Sequence, residues 1–487
     1  MTPPAAAPPP AASPLAPSVP ALWELVTDEV RQGHRFAGLM GTSRPEGVLV
    51  SAHLAVPGDI AIREALVPAG VMTYPALTPI LSAADWYERE ISDVFGLRPE
   101  GYAAGAGQPG PAPLLRPHLV PAYLHGPGLF TIPHGPVRSG VMESIEYLVQ
   151  TPGEDIPHLD IRLFYKHRGV EDRFERLGPA QAVLLAERTE GVASVAHALA
   201  YCHAIERLGT DEPVPWRAAL IRALHAELER ISSHLDVTVR LADAAGLAVA
   251  AARFGFHKEQ AARLVSAMCG SRFGRGVVRP GGVSAMPSVS AADFLAQISK
   301  LERAITSDLR LLMGTASFLD RLRATGPLTP GRAKEHGALG PIGKASGRVD
   351  DARRDRPYDA YPSLGLRPPR EHHAGDALAR LAVRVDEIRE SFHLLRQAAD
   401  ELDDAGEGPL SLPCDPASGR ATGWAEAPQG EVSYDVRIED GQLARCHPRS
   451  ASFHNLMLFG AVFAGDILTD FPFIEASFGL SVAGVAR

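Results

Sequence analysis

The stretch ERTEGVASVAHALAYCHAIE, Glu187 to Glu206, decides how this chain is read. It opens with an arginine, a carboxylate and a glycine. It then runs through small and apolar residues, broken only by His197, Tyr201 and His203. Such a run predicts a buried helix over 187–206. His197 and Tyr201 would share one face while His203 and Glu206 lie on another, so three metal ligands do not converge. Core histidines with satisfied nitrogens are the expectation. A second stretch, DFPFIEASFGLSVAGVAR (Asp470 to Arg487), closes the chain with equally small residues.

Around these stretches lie 487 residues, enough for two or three domains. A hydrophobic content of 45% supports a large core, and 22% charged residues exclude a wholly disordered chain. A net charge of -9 leaves no basic face to displace counterions from phosphate, which argues against nucleic acid as a partner. The four cysteines, Cys202, Cys269, Cys414 and Cys446, are scattered, so neither a disulfide framework nor a metal knuckle is expected and a reducing compartment fits. No signal peptide is visible. The longest apolar run, Leu456 to Gly465, falls short of the roughly 20 residues that span a bilayer. Any tie to a membrane passes through partners.

The fold class expected is α+β, a small N-terminal α/β domain followed by a large domain of long helices flanked by small β-sheets. Residues 1–20 are nearly all Pro, Ala and Ser and read as a disordered tail. Residues 21–97 form the small domain, with a helix from Leu22 to Arg31, strand-like sequence from Phe36 to Val56 and a charged amphipathic helix from Asp85 to Val94. Residues 98–129 are dense in Gly and Pro and read as a linker. Residues 130–487 form the large domain. It begins with neighbouring strands over Ser144–Val149 and Leu159–Tyr165. Apolar seams follow at Leu220, Leu224, Leu228, Ile231 and Leu235, then from Phe294 to Leu312 behind Ser290, then from Leu378 to Leu395. Seams of this spacing predict an antiparallel bundle. Val432 to Ile438 alternates up to an Asp440-Gly441 turn, which predicts a hairpin.

Two nucleotide-binding patterns fail. Gly105 to Gly110 has the dinucleotide spacing, but no strand precedes it and Pro109 and Pro111 preclude the helix that must follow. Around Gly343-Lys344, Ala338 and Ala345 occupy positions where a P-loop requires Gly and Ser or Thr. Four charged constellations remain. Glu88-Arg89-Glu90 with Asp93 and Phe95-Gly96 reads, as bare residues, as a solvated helix face. His167-Arg168-Gly169-Val170-Glu171 is either a pair of cationic donors at a strand end or a strand-to-helix turn. Glu227, Arg230 and His234 share a helix face and predict a buried ion pair. Asp350 to Asp355 predicts a salt-bridged loop.

Taken together, these stretches resemble a fusion of two subunits of the superfamily that joins complex I to the group-four membrane-bound [NiFe]-hydrogenases, including formate hydrogenlyase. Glu88 to Gly96 is similar to the signature of complex I's small peripheral subunit. The large, catalytic-type subunit is matched by Gly135-Pro136-Val137, His167 to Glu171, Glu187-Arg188 with Gly191, and Glu227/Arg230/Ser233/His234. Gly270 to Arg272, Pro280 to Val283, Ala345 to Gly347, Asp351 with Arg353 to Asp355, and Pro448 to Phe453 continue the match.

The departures from that resemblance carry the chemistry. In the hydrogenases two CxxC pairs hold nickel and iron; in register here stand Glu190 and Ala193, then Ser481 and Gly484. A soft metal centre needs thiolates, which none of these supplies. The chain also stops at Arg487, with no tail of the kind clipped during metal insertion. The quinone-reducing branch implies a loop His and a Tyr where Met142 and Gly191 stand, and the hydrogenase-type loop His is replaced by Arg138. What the resemblance leaves is a polar pocket of Arg138, Arg188 and Glu190 near His167 and Arg168. Glu190 is expected to be protonatable and paired with an arginine. The implied setting is a peripheral subunit on the cytoplasmic face, with no cofactor of its own. An Fe–S small subunit would hold a [4Fe–4S] cluster, antiporter-like membrane-arm subunits would complete the complex, and quinone is a candidate acceptor. The rival readings are a working quinone-site subunit of the fused C/D type and a catalytically silent scaffold.

Overall fold

A computed structural model of the chain describes residues 15–102, 113–115, 128–138, 143–210 and 212–487. The Gly105–Gly110 pattern and Met142 lie outside the described residues.

In the N-terminal unit the helix Val19–Arg31 begins where the Ser18 hydroxyl accepts from the Ala21 amide. Order therefore starts earlier than the Pro/Ala/Ser composition suggests: Ala16 already bridges to Ala65, so residues 15–20 belong to the domain. Strands Arg35–Arg44, Gly47–Val56 and Asp59–Pro68 form an antiparallel sheet in sequence order. The third strand was not foreseen. Helix Asp85–Phe95 packs on the first strand, where Gly38 leaves room for the Tyr87 ring, and ends at Gly96 in the left-handed region. Residues 98–100, expected in the linker, are instead a strand, because Arg98–Glu100 pairs in parallel with Thr73–Pro75.

That helix corrects the reading of its charges as solvated. Glu88 is fully buried and accepts from the Leu77 and Thr78 amides (2.8 and 2.9 Å) and from the Thr78 hydroxyl. Asp93 accepts from the Leu114 and Leu115 amides, and Glu90 pairs with Arg487. Each carboxylate holds a turn or a terminus, as buried charges must.

The large unit opens with the sheet Phe130–His134, Glu146–Thr151 and His158–Arg162. Its helical body comprises Ser194–Gly209, Trp216–Ala244, Ala248–Cys269, Ala291–Leu312 and Ala377–Asp404. The predicted seams face inward; Leu220, Leu228, Ile231, Leu235, Ile298, Leu381 and Ile388 are all buried. Ser290 and Asp376 cap their helices as acceptors for the Asp293 and Ala379 amides. The run from Glu187 is not helical at its start. The helix begins at Ser194, and residues 187–193 form a turn around Gly191.

The closing sheet, Gly419–Ala427, Gly430–Glu439 and Gln442–Arg449, lies on that helix. A Cβ on Gly423 would sit 2.1 Å from the Ala200 carbonyl oxygen, so strand and helix touch backbone to backbone. Tyr434, paired in register with Gly423, has its hydroxyl against His197.

Buried ion pairs join the two units. Glu431 on the closing sheet takes Arg35 from the N-terminal sheet at 2.8 Å, together with Arg356 and Arg449. Burial alone would raise the Glu431 carboxyl, but the three arginines outweigh it and hold it well below the ordinary range. Glu431→Gln should cost about 3–5 kcal/mol, because it leaves buried guanidiniums short of their counter-charge. A depressed native carboxyl stabilises above its unfolded value of about 4.3 and loses that contribution as acid titrates it. Thermal melts should show a gap between wild type and variant that is full at neutral pH and narrows on acidification.

Candidate functional site

Arg168 is the clamp of the site. It follows the strand His158–Arg162 and precedes Gly169, whose φ of 60° opens the short helix Val170–Phe174. Its guanidinium donates to the Arg188 and Thr189 carbonyls at 3.1 and 2.6 Å, and to those of Ala483 and Ala486. The turn 187–193 and the C-terminal stretch are thereby held together.

Glu190 lies in that join, 1% exposed. Its Oε1 accepts from the Ser452 hydroxyl at 2.8 Å, and Ser452 in turn accepts from the Ser481 amide at 3.1 Å. A Cβ on Gly484 would stand 2.6 Å from Glu190 Oε2. Glu190, Ser481 and Gly484 therefore meet, as the register required. The Ser481 hydroxyl and Val482 amide both donate to Glu143, a residue that sequence reasoning passed over.

On its other side Glu190 Oε2 is 3.1 Å from His197 Nε2. His197 Nδ1 is 2.8 Å from the Tyr434 hydroxyl, which donates to Thr189 Oγ1 at 3.2 Å. Tyr434 must then accept from Nδ1–H, a tautomer assigned from this network. With that proton committed, the contact between Nε2 and Oε2 needs one more, carried by ring or carboxyl. Ring, phenol and carboxyl are all shut from solvent.

Other expected members fall elsewhere. Arg138 is bidentate to Glu475 at 2.9 and 2.7 Å and lies over the Tyr147 ring. Arg188 is half exposed beside Glu187, and His167 is exposed. Glu190 is hydrogen-bonded to a histidine and a serine, not to an arginine; Arg168 reaches it only through space. The helix of Glu227, Arg230 and His234 does carry buried pairs, extended by Arg353 to Glu227 and by Lys344 between Asp351 and Glu387.

The Glu90, Glu171 and His447 side chains converge closely enough to hold a cation, and the Arg487 guanidinium fills that place, donating to both carboxylates at 2.7 to 3.0 Å. All four cysteines are free. Burial pushes the Cys202 and Cys446 thiols well up, so neither is a ready thiolate.

Comparison with known proteins relates the chain to subunits of complex I and of hydrogenases. Residues 248–412 match the family described as respiratory-chain NADH dehydrogenase, 49 Kd subunit, and residues 19–114 the 30 Kd subunit. The membrane-bound hydrogenase subunit alpha of Pyrococcus furiosus is 30% identical over 365 residues, covering 71% of this chain and 84% of the relative. The chain belongs to this family. An NADH-quinone oxidoreductase subunit of Solibacter usitatus is 30% identical over 345 residues, 69% of this chain and 91% of the relative. Formate hydrogenlyase subunit 5 of Escherichia coli is 28% identical over 444 residues, 83% of this chain and 75% of the relative. The fused order of a small and a large domain, read from Glu88 to Gly96 and from Gly135 onward, is the order in which the two family matches fall.

In the site, Gly484 leaves the space that the Glu190 carboxylate occupies. Gly484→Ala should destabilise by about 1–3 kcal/mol, because the new methyl drives Glu190 off His197 or Ser452. In a Glu190→Ala background the same change should be close to neutral. A double-mutant cycle of denaturant melts reads the coupling.

Proposed function

We propose that this chain is the peripheral, pocket-bearing subunit of a membrane-associated complex of the complex I and hydrogenase kind. In this reading Glu190 and His197 hold one proton and pass it on as electrons arrive at a partner-held [4Fe–4S] cluster. Membrane-arm subunits of the antiporter type would use that proton movement to translocate ions. The observation that carries the reading is the single proton required between Glu190 Oε2 and His197 Nε2 in a sealed site.

A nickel–iron centre does not fit the residues present. Both Glu190 oxygens are engaged, and the space beside Gly484 is taken by that carboxylate. Ala193 offers no donor atom, and Ser481 remains a neutral hydroxyl near neutral pH. No cysteine pair among the described residues is spaced to hold a cluster, which supports placing iron and sulfur in a partner. No helix among the described residues is long and apolar enough to cross a membrane, consistent with attachment through other subunits.

Glu190→Gln keeps the shape and removes the acidic proton. In vesicles carrying the complex, reductant-driven proton movement should fall by about a hundredfold, the usual scale for losing a positioned acid–base group. The purified complex should hold nickel only below stoichiometric amounts. Unchanged proton movement in the variant would leave the chain a scaffold, and stoichiometric nickel would restore the hydrogenase reading.

A further inference from the structure

We propose that the cavity between the segment 351–372 and the helix Ala377–Asp404 binds a small organic oxyanion, a carboxylate or phosphate group carried on a compact carbon body. The cavity measures about 330 Å³, within the ~300–1,000 Å³ of small-molecule sites. The residues lining it include none of the Glu190 site.

The floor is charged and nearly closed. Lys344, its side chain 3% exposed, donates to Asp351 and Glu387 at 2.7 and 2.8 Å. Burial works against its charge, but those two carboxylates outweigh it and keep the ammonium protonated. Its third N–H is left over, because the next carboxylate, Glu426, stands 4.0 Å away. Arg353 is held by Asp351 and Glu227. The salt-bridged loop expected over Asp350 to Asp355 thus supplies part of a cavity floor.

The rim is not closed. Arg367 has Glu390 at 2.5 Å, and Arg354 has Asp355 at 3.3 Å. Arg370 and Arg389 have one carboxylate between them. Both approach Asp386 Oδ1, at 3.6 and 3.1 Å, while His372 Nε2 lies 3.3 Å from Oδ2. At 3.6 Å Arg370 makes no hydrogen bond there. Glu371, next in the chain, is 3.6 Å from His373. Ion pairing therefore accounts for the floor but leaves two guanidiniums on one carboxylate at the mouth, their side chains 74% and 50% exposed. Guanidinium N–H groups in that state match the paired oxygens of a carboxylate or phosphate. Leu366, Pro368, Pro369 and Val383 add an apolar wall for the carbon body.

Calorimetric titration of the full-length chain at low salt tests this with two probes, citrate and glycerol 3-phosphate. One molecule of at least one probe should bind saturably, and the probe that does so decides between carboxylate and phosphate. Arg370→Gln and Arg389→Gln should each weaken binding about tenfold, the scale of one charge-assisted hydrogen bond. Asp386→Asn should tighten it about threefold or more, because the charge competing for both guanidiniums is gone. A merely structural cluster predicts the reverse for Asp386→Asn. Thermal melts of these variants should match wild type, since exposed ion pairs contribute little. Arg263→Gln, at an exposed arginine of the helix Ala248–Cys269, is the control and should leave affinity unchanged. Failure of both probes to saturate, weaker binding in Asp386→Asn, or a loss in Arg263→Gln as large as in the rim variants would overturn the site. Wild-type affinity in both Arg370→Gln and Arg389→Gln would do so equally.

Discussion

Arg168 places five N–H donors at the seam between two distant parts of the chain, and it aims four of them at carbonyls. Neutral acceptors satisfy its geometry but leave its charge. Glu143 and Glu190 balance that charge through space. The site therefore depends on one guanidinium that fixes the turn 187–193 against the C-terminal stretch and sets the field in which Glu190 lies. Ser452, Gly484 and Glu143 are arranged along the join that it makes.

The same constraint shapes the rest of the molecule. Arg222, Arg230, Arg380, Arg384 and Arg487 are among the largest fully buried side chains, and each must find acceptors inside. Arg222 has Glu206 and Asp359; Arg380 and Arg384 use main-chain carbonyls of residues 326, 375, 477 and 478. Arg487 uses Glu90 and Glu171, one from each unit. Such pairs add little net stability but forbid alternative packings, because a slipped register would strand a buried charge. A rigid frame of this kind keeps Glu190, His197 and Tyr434 within hydrogen-bonding reach of one another.

Periodicity made the long helices legible. Leu220 to Leu235 and Phe294 to Leu312 repeat at three and four residues, and both seams are buried. Elements whose burial breaks that rhythm were not legible. Gly419–Ala427 is covered on both faces and does not alternate, and Ala248–Cys269 buries a histidine and an alanine among its apolar residues. The carboxylates of Asp85–Phe95 looked solvated because their partners, Leu77, Leu114 and Arg487, lie far along the chain or outside any local pattern. In the site, register alone brought Glu190, Ser481 and Gly484 together. His197 is the buried histidine with satisfied nitrogens that the sequence predicts, but its partner was not legible, because Tyr434 is 237 positions away and faces it only when Gly423 lets the sheet close on the helix. Arg138 was placed in the pocket by register, but Glu475, on the helix Phe471–Phe478, holds it elsewhere.

A scaffold shared with hydrogenase and NADH-quinone oxidoreductase subunits thus holds, where the turn 187–193 meets the C-terminal stretch, a carboxyl in contact with an imidazole. Neutron diffraction from a deuterated crystal would locate the protons of that centre directly. The account predicts one deuteron on His197 Nδ1, directed at Tyr434, and one between Glu190 Oε2 and His197 Nε2. Nuclear density with Nδ1 bare, or with nothing between carboxyl and ring, would contradict it.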